Sequence, residues 1–455
     1  MAVSTRDPAG IPFTEAMNRS PMRPFQWLTV VVCMLILVCD GIDLQLLGIV
    51  APLVMDDFGV DRGTFGIAMS AALVGFGLGA WSGGGLGDAI CRRYTLAIAA
   101  LVFSLATIGA ASAEGVWGMA FWRLLGGLGF GAAYANALAM AGEWLPDRWR
   151  PVAVSTLSVG TPIGGTIVGW LGPDLAAERG WDGTFVVFGI ATLIMVVVTL
   201  IALRDSPSFL LARGKPDRAQ QNARLVLPEE TPLAAERHHT DSGDGPSKGV
   251  LDRSNMRLNI GVAIAFTAAA LVAYSILSWS TTFLTTAGFT LDEAGNTVSI
   301  AGITSMIGSV LVGIAMRQFG SRIVMIVLGI TLTAVIVALG LAVEGLPAVP
   351  DAGDKTLVTA LVGLSGALFS AGIAGMYVIM TAGYPQSCRS AGIGFGIFMS
   401  RIGAVGATAF GGVLLEMGGT SVMPLFVVLT IASLAILIGA VVIDRHVPPL
   451  SASRS

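Results

Sequence analysis

The chain has 455 residues, of which 54% are hydrophobic and only 12% charged, and its formal net charge is −3. Its mean hydropathy is +0.79, whereas a soluble domain carries about 25% charged residues. This composition excludes a water-soluble globular protein and points to an integral membrane protein, with the lipid bilayer as its surroundings and no nucleic-acid partner.

Crossing the hydrocarbon takes roughly 20 mostly apolar residues in a helix. Twelve segments meet that need, near 25–50, 62–86, 94–113, 117–141, 151–173, 182–203, 258–287, 293–316, 321–343, 355–383, 389–415 and 420–443. The runs are long and unbroken, unlike the alternating segments of a barrel, so helices are expected. The 59 glycines and 20 prolines are compatible with that reading, because membrane helices tolerate both and use small residues for close packing.

The chain therefore divides into a tail over 1–24, a six-helix bundle over 25–203, a polar linker over 204–257, a second six-helix bundle over 258–443 and a tail over 444–455. Within the linker, RDSPSFLLARGKPDRAQQNARLV reads as a surface helix and PEETPLAAERHHTDSGDGPSKG as a flexible connection. Nearly all of the 26 Lys and Arg residues fall on the side of the termini and linker, and the opposite side receives only Arg62, Arg179 and Lys355. By the positive-inside bias, both termini are expected in the cytoplasm.

In chain order, the first span carries Asp40 and Asp43 in LVCDGIDLQLLG, the fourth carries Arg123 and the eleventh carries Arg401. These four are the ionisable groups well inside spans, with Glu143 and Glu416 near span ends and all three histidines outside. A charge near the bilayer centre costs roughly 2.5–3.5 kcal/mol on insertion scales. Such a charge can serve simply to join helices, but two acids and two bases in a twelve-helix chain describe a polar cavity. Asp40 and Asp43 lie three residues apart and share a helix face, with Gly41 leaving room beside them. Two neighbouring carboxylates in low dielectric cannot easily both ionise, so one takes up a proton. Guanidinium stays charged and grips a carboxylate bidentately. Phe76, Tyr134, Trp279, Phe283, Phe369, Tyr377 and Phe398 are candidate stacking surfaces, and Tyr134 and Trp279 lead because each carries a polar handle. The four cysteines, Cys33, Cys39, Cys91 and Cys388, form no disulfide framework, and no metal or nucleophile constellation is present.

The two halves echo one another. GGLGDAICRR at 84–93 and GIAMRQFGSR at 313–322 each follow the second span of their half, as in transporters whose two bundles rock about a central site. The chain resembles the major facilitator superfamily over all but its tails and linker. The superfamily loop motif is met by Gly84, Asp88, Arg92 and Arg93; it departs at Ala89 and Cys91, and its second copy has Arg317 in place of an acid. RLLGGLGFG at 123–131 resembles the fourth-helix motif of a buried arginine followed by glycines, and GTPIGG at 160–165 partly resembles a fifth-helix antiporter motif, a helix-kinking or packing role being equally open.

Within the superfamily, DGID at 40–43 with Gly48 and Pro52 resembles the first-helix signature of the aromatic acid/proton symporters. EWLPDRWR at 143–150, DSPSFLLARGKPDRA at 205–219, SWSTTFLTTAGF at 278–289 and YPQSCRSAGIGFGIFMSRIGAVGA at 384–407 agree with that family. The resemblance implies the major facilitator fold and import of an aromatic carboxylate by proton symport through alternating access. It also implies no enzymatic activity and no cofactor beyond the proton gradient, in a protein of the cell inner membrane that works as a monomer. Expected roles are proton coupling for Asp40 and Asp43, substrate binding for Arg123, Arg401, Tyr134 and Trp279, and gating for Asp88, Arg92, Arg93 and Glu143. An exporter of amphipathic compounds or a carrier of sugars or other neutral substrates on the same fold are the alternatives.

Overall fold

The computed structural model describes residues 10–146, 149, 157, 159–228, 233–234, 250–347, 349–385 and 388–449, apart from the side chains of 81, 84, 85, 88, 89, 234 and 389–391. The first half comprises α1 (Phe13–Arg19), α2 (Pro24–Phe58), α3 (Arg62–Ala89), α4 (Arg92–Ala110), α5 (Val116–Trp144) and α6 (Gly160–Ala202). Two short linker helices, α7 (Pro207–Ala212) and α8 (Pro216–Ala223), follow. The second half holds α9 (Met256–Thr286), α10 (Leu291–Phe319), α11 (Ser321–Glu344), α12 (Ala352–Gly383), α13 (Arg389–Gly418) and α14 (Met423–Val442).

Among the described residues, 11 helices are long and apolar enough to cross a membrane. One of them, α6, runs for 43 residues and breaks at Gly180, whose φ of 75° and ψ of 171° are not helical. A straight helix of that length would reach about 65 Å, twice a bilayer's hydrocarbon thickness. Glycine, with no Cβ to clash, makes the reversal possible. The arm before the break packs on α2 and α10, through Gly164 against Val38 and Gly169 against Ser299, while Gly189 in the arm after it packs on Ile108 of α4. The two arms fall where the fifth and sixth spans are expected, and residues 151–156 and 158 of the fifth lie outside the described residues.

Helix ends at the water boundary carry side-chain caps. Asp61 accepts from the Thr64 amide at 2.6 Å to start α3, and Thr290 with Glu293 and Asp351 with Asp354 form reciprocal capping boxes at α10 and α12. Gly59, left-handed at φ 61°, ends α2. The tail is not wholly free: Phe13 and Met17 are buried, Phe13 lies edge-on to Trp144 with ring centroids 5.9 Å apart, and Ile11–Pro12 pairs in parallel with Leu233–Ala234 of the linker. The surface helix expected at the start of the linker is two helices, divided at Gly214, which adopts φ 67°. Most of the connection expected to be flexible lies outside the described residues.

The halves meet along α2 with α9, α3 with α13 and α6 with α10. Hydrogen bonds between them gather toward the end where α2 gives way to α3. Arg62 donates to Thr286 Oγ1 at 2.9 Å and to the Gly419 carbonyl at 3.3 Å, and the Gly63 amide donates to Glu416 Oε2 at 3.0 Å. Thr281 donates to the Gly48 carbonyl, and Ser299 to the Thr166 carbonyl at 3.0 Å. Gly66 lets α3 approach α13 so closely that a Cβ there would stand 2.6 Å from the Ala409 carbonyl oxygen. Gly66→Leu is therefore expected to push the halves apart at this end. Spin labels on Asp56→Cys and Thr420→Cys should then shift to longer separations than in the same pair without the leucine; an unchanged distance distribution counts against close α3–α13 packing as the seal.

Candidate functional site

The site begins with a backbone contact. Gly41 lies at the centre of α2, and a Cβ there would fall on the carbonyl of Thr161 in α6. The room expected beside Asp40 and Asp43 is filled by the α6 backbone. That contact sets Thr161 Oγ1 at 3.3 Å from Asp40 Oδ2, as donor to the carboxylate. GTPIGG thus packs and also supplies a polar partner.

The glycines after Arg123 perform a similar service. Gly127 and Gly131 seat α5 against Ala72 and Phe76 of α3, and Gly129 seats it against Ala99 and Phe103 of α4. With α5 held this close, Arg123 Nη1 donates to Asp43 Oδ2 at 2.6 Å, and Thr107 of α4 donates to Asp43 Oδ1 at 2.8 Å. Both charged side chains are buried, at 4% and 6% exposure. The pair is a short, charge-assisted bond in a low-dielectric setting, with the second carboxylate oxygen also satisfied.

The two carboxylates therefore have different surroundings. Asp43 has a counterion; Asp40 has only Thr161 as hydrogen-bond donor and no ion-pair partner among the described residues. Arg401 in the second half and Arg123 in the first both act on it electrostatically, Arg401 the more strongly.

Arg401, half-buried on α13, donates from Nη1 to the Tyr274 hydroxyl of α9 at 3.0 Å and lays its guanidinium over the Phe76 ring of α3, 3.8 Å from the centroid. The cation–π contact, worth about 0.5–2 kcal/mol, ties a charge of one half to a ring of the other. Among the described residues, nothing accepts from Arg401 Nε or Nη2. Tyr274, Tyr377 and Tyr134 all stand within its electrostatic reach. Phe76 and Tyr134 are 5.7 Å apart by centroid, and Phe266 meets Tyr377 edge-on at 5.3 Å. The result is an arginine whose Nε is buried without an acceptor, with aromatic rings from both halves around it.

Other expected site residues lie elsewhere. Arg123 faces Asp43 and is not brought together with Arg401. Trp279 is fully buried, its indole N–H donating to the Ala407 carbonyl at 3.3 Å and its ring wedged against Gly411 and Gly412 in the α9–α13 packing. Arg92 Nε pairs with Glu143 Oε1 at 2.8 Å, and Arg93 donates to the Leu200 carbonyl, so both basic residues of the loop motif hold elements of the first half together. The side chain of Asp88 lies outside the described residues. Tyr274, Thr107 and Thr161 were not singled out from sequence. Of these, Tyr274 left a trace: it is one of only five tyrosines and lies within a span.

Two bundles of crossing helices around a polar, aromatic-walled centre define a membrane transporter. A family profile described as Major Facilitator Superfamily matches residues 33–343, and the chain belongs to that family. Among characterised relatives, it is 28% identical to the 4-hydroxybenzoate transporter PcaK of Acinetobacter baylyi, over 88% of this chain and 87% of the relative. It is 27% identical to the gallate transporter of Pseudomonas putida, over 90% of each. Among solved structures it resembles the partially occluded inward-open xylose transporter XylE from E. coli, with a TM-score of 0.70 and 16% identity, covering 92% of this chain and 96% of that one.

Removing one partner of a buried ion pair leaves the other uncompensated, at about 3–5 kcal/mol. Arg123→Ala should therefore lower the melting temperature of the detergent-solubilised protein sharply, while Asp43→Asn together with Arg123→Gln should recover much of it. Equal stability of Arg123→Ala and the native chain in thermal melts is the outcome incompatible with this pairing.

Proposed function

We propose that the protein imports an aromatic carboxylic acid across the cell inner membrane by proton symport, alternating access between the two sides about a site centred on Arg401. The observation that carries the reading is the Nε and Nη2 edge of Arg401, which has no acceptor among the described residues although Nε is buried, while Tyr274 and Phe76 hold the rest of the guanidinium. That edge is the fork a carboxylate takes bidentately. The rings of Phe76, Tyr134, Tyr274 and Tyr377 suit the aromatic body, and the tyrosine hydroxyls suit ring hydroxyls. The relatives named for 4-hydroxybenzoate and gallate support the same substrate class.

Proton coupling follows from competition for one cation. Asp43 is compensated by Arg123 within the first half, so Arg401 is the charge that Asp40 shares with an arriving carboxylate. When substrate occupies Arg401, Asp40 loses its counter-charge and holds a proton in its place; when substrate leaves, the proton is released. Arg123 and Asp43 maintain the geometry of this exchange, and Trp279 supports the α9–α13 wall behind it. A negative-inside potential opposes an entering anion by about 2.3 kcal/mol per charge per 100 mV, and a co-transported proton removes that penalty. The proton gradient is the energy source, and a monomer contains the complete site. Asp88, Arg92, Arg93 and Glu143 form the gate on the cytoplasmic side, where the excess of Lys and Arg also sets both termini.

Asp40→Asn is expected to abolish accumulation against a gradient in proteoliposomes while retaining exchange of labelled for unlabelled substrate. If this variant still concentrates substrate, Asp40 is not the proton carrier.

Arg401→Lys keeps the charge and loses the fork, and should weaken binding of the acid by roughly 30-fold or more, since truncating a buried charge-assisted pair costs about 2–5 kcal/mol. An aromatic acid and its neutral amide, compared by calorimetry on the native protein, separate this reading from a neutral-substrate carrier: equal affinities favour the carrier.

A further inference from the structure

A second basic site lies away from the transport centre. At the end of the bundle bearing the termini, a cavity of about 230 Å³ opens where α4 begins, α6 ends and the linker helices α7 and α8 pack. Arg93, Arg204, Lys215 and Arg218 line it, and Asp205 is the single acid among the lining residues. Arg93 is held at the wall by the Leu200 carbonyl, and its Nε is buried with no acceptor. Arg204 Nη1 donates to the carbonyls of Ile201 and Leu203 at 2.8 and 3.0 Å. Lys215 and Arg218 have no ion-pair partner among the described residues. Three positive charges thus remain after Asp205 is counted.

The outer wall indicates what would neutralise them. Ile90 and Tyr94 line the cavity while being 50% and 48% exposed on the bundle's outer face. From there an apolar stripe continues through Ile98 on α4, and another through Ile201, Val197 and Ile194 on α6. In a chain that spans a membrane, such stripes face acyl chains. The cavity therefore sits where lipid tails end and headgroups begin, with Tyr94 at the level where amphipathic rings gather. A soluble anion would need only the cations; a lipid uses the stripes as well.

We propose that this cavity binds the headgroup of an anionic phospholipid such as phosphatidylglycerol. The phosphate sits among Arg93, Arg204, Lys215 and Arg218, and the glycerol hydroxyls meet Asp205 and Asn222. The acyl chains lie along the α4 and α6 stripes. A zwitterionic headgroup would place its ammonium among these cations and is disfavoured. The bound lipid fastens α7 and α8 to the first half, so the linker is anchored to one bundle while the other moves.

The test uses the full chain, delipidated and titrated with single lipids in native mass spectrometry, with melting temperature as a second reading. Phosphatidylglycerol is expected to bind at least tenfold tighter than phosphatidylcholine. Lys215→Ala with Arg218→Ala should lose about 30-fold of that affinity, while Lys215→Arg with Arg218→Lys retains it. Lys215, the residue before α8, and Arg218 on it are both exposed, and Arg204→Ala tests the site independently of that helix. Equal binding of the two lipids, or unchanged phosphatidylglycerol binding in both alanine variants, overturns the proposal. Soluble glycerol phosphate should not raise the melting temperature; protection equal to that of the lipid would identify a free phosphate ligand and overturn the assignment to lipid.

Discussion

The buried pair of Asp43 and Arg123 is the interaction on which the rest of the centre depends. Inside a membrane an uncompensated charge is costly, and no water is at hand to answer it. Its 2.6 Å bond, with Thr107 on the second carboxylate oxygen, joins α2, α4 and α5. All three belong to the first half, so the pair can travel intact while the halves move. With those charges balanced, Asp40 and Arg401 are left on opposite sides of the divide, where relative motion of the bundles changes their separation. In the proposed cycle that difference assigns the work: the pair within one half maintains structure, and the pair across the halves responds to substrate and proton.

Close backbone approach is the second constraint, and it decides where the polar atoms end up. Gly41 against Thr161 brings a hydroxyl to Asp40, and the glycines following Arg123 bring its guanidinium to Asp43. Lipid tails are as apolar as leucine, so helix association relies on packing and hydrogen bonds more than on burial from water. Small residues then serve the site indirectly, because a wider α2–α6 or α3–α5 spacing would take the hydrogen-bonding partners out of reach. The same device, at Gly66 on Ala409, seals the halves at one end of the bundle.

The fold itself is shared with transporters of other substrates, including the xylose transporter, so the fold does not choose the cargo. In the proposed function the choice lies in the side chains around Arg401. Three of the chain's five tyrosines stand near that guanidinium, and Phe76 stacks on it. A sugar site would call for amide and carboxylate hydrogen-bonding groups, whereas this wall is largely aromatic, in keeping with the proposed aromatic acid.

The amino-acid sequence alone determined the membrane character, the division into two helical halves about a polar linker, and the identity of the four charges inside the spans. Each follows from local composition, because the cost of placing a residue in hydrocarbon depends on that residue and its near neighbours. Tertiary structure decided which charge meets which. Asp40 and Asp43 share a stretch of four residues, yet one faces Thr161 of α6 and the other Arg123 of α5, 80 positions along the chain. Arg123 and Arg401, expected to act together, are separated, Trp279 is enclosed in packing, and Tyr274 takes the place beside Arg401. Helical periodicity gives the face on which a side chain lies, but not the rotation of one helix against its neighbours. That rotation is set by interlocking of small residues distant in sequence, and it appears only once the helices are packed.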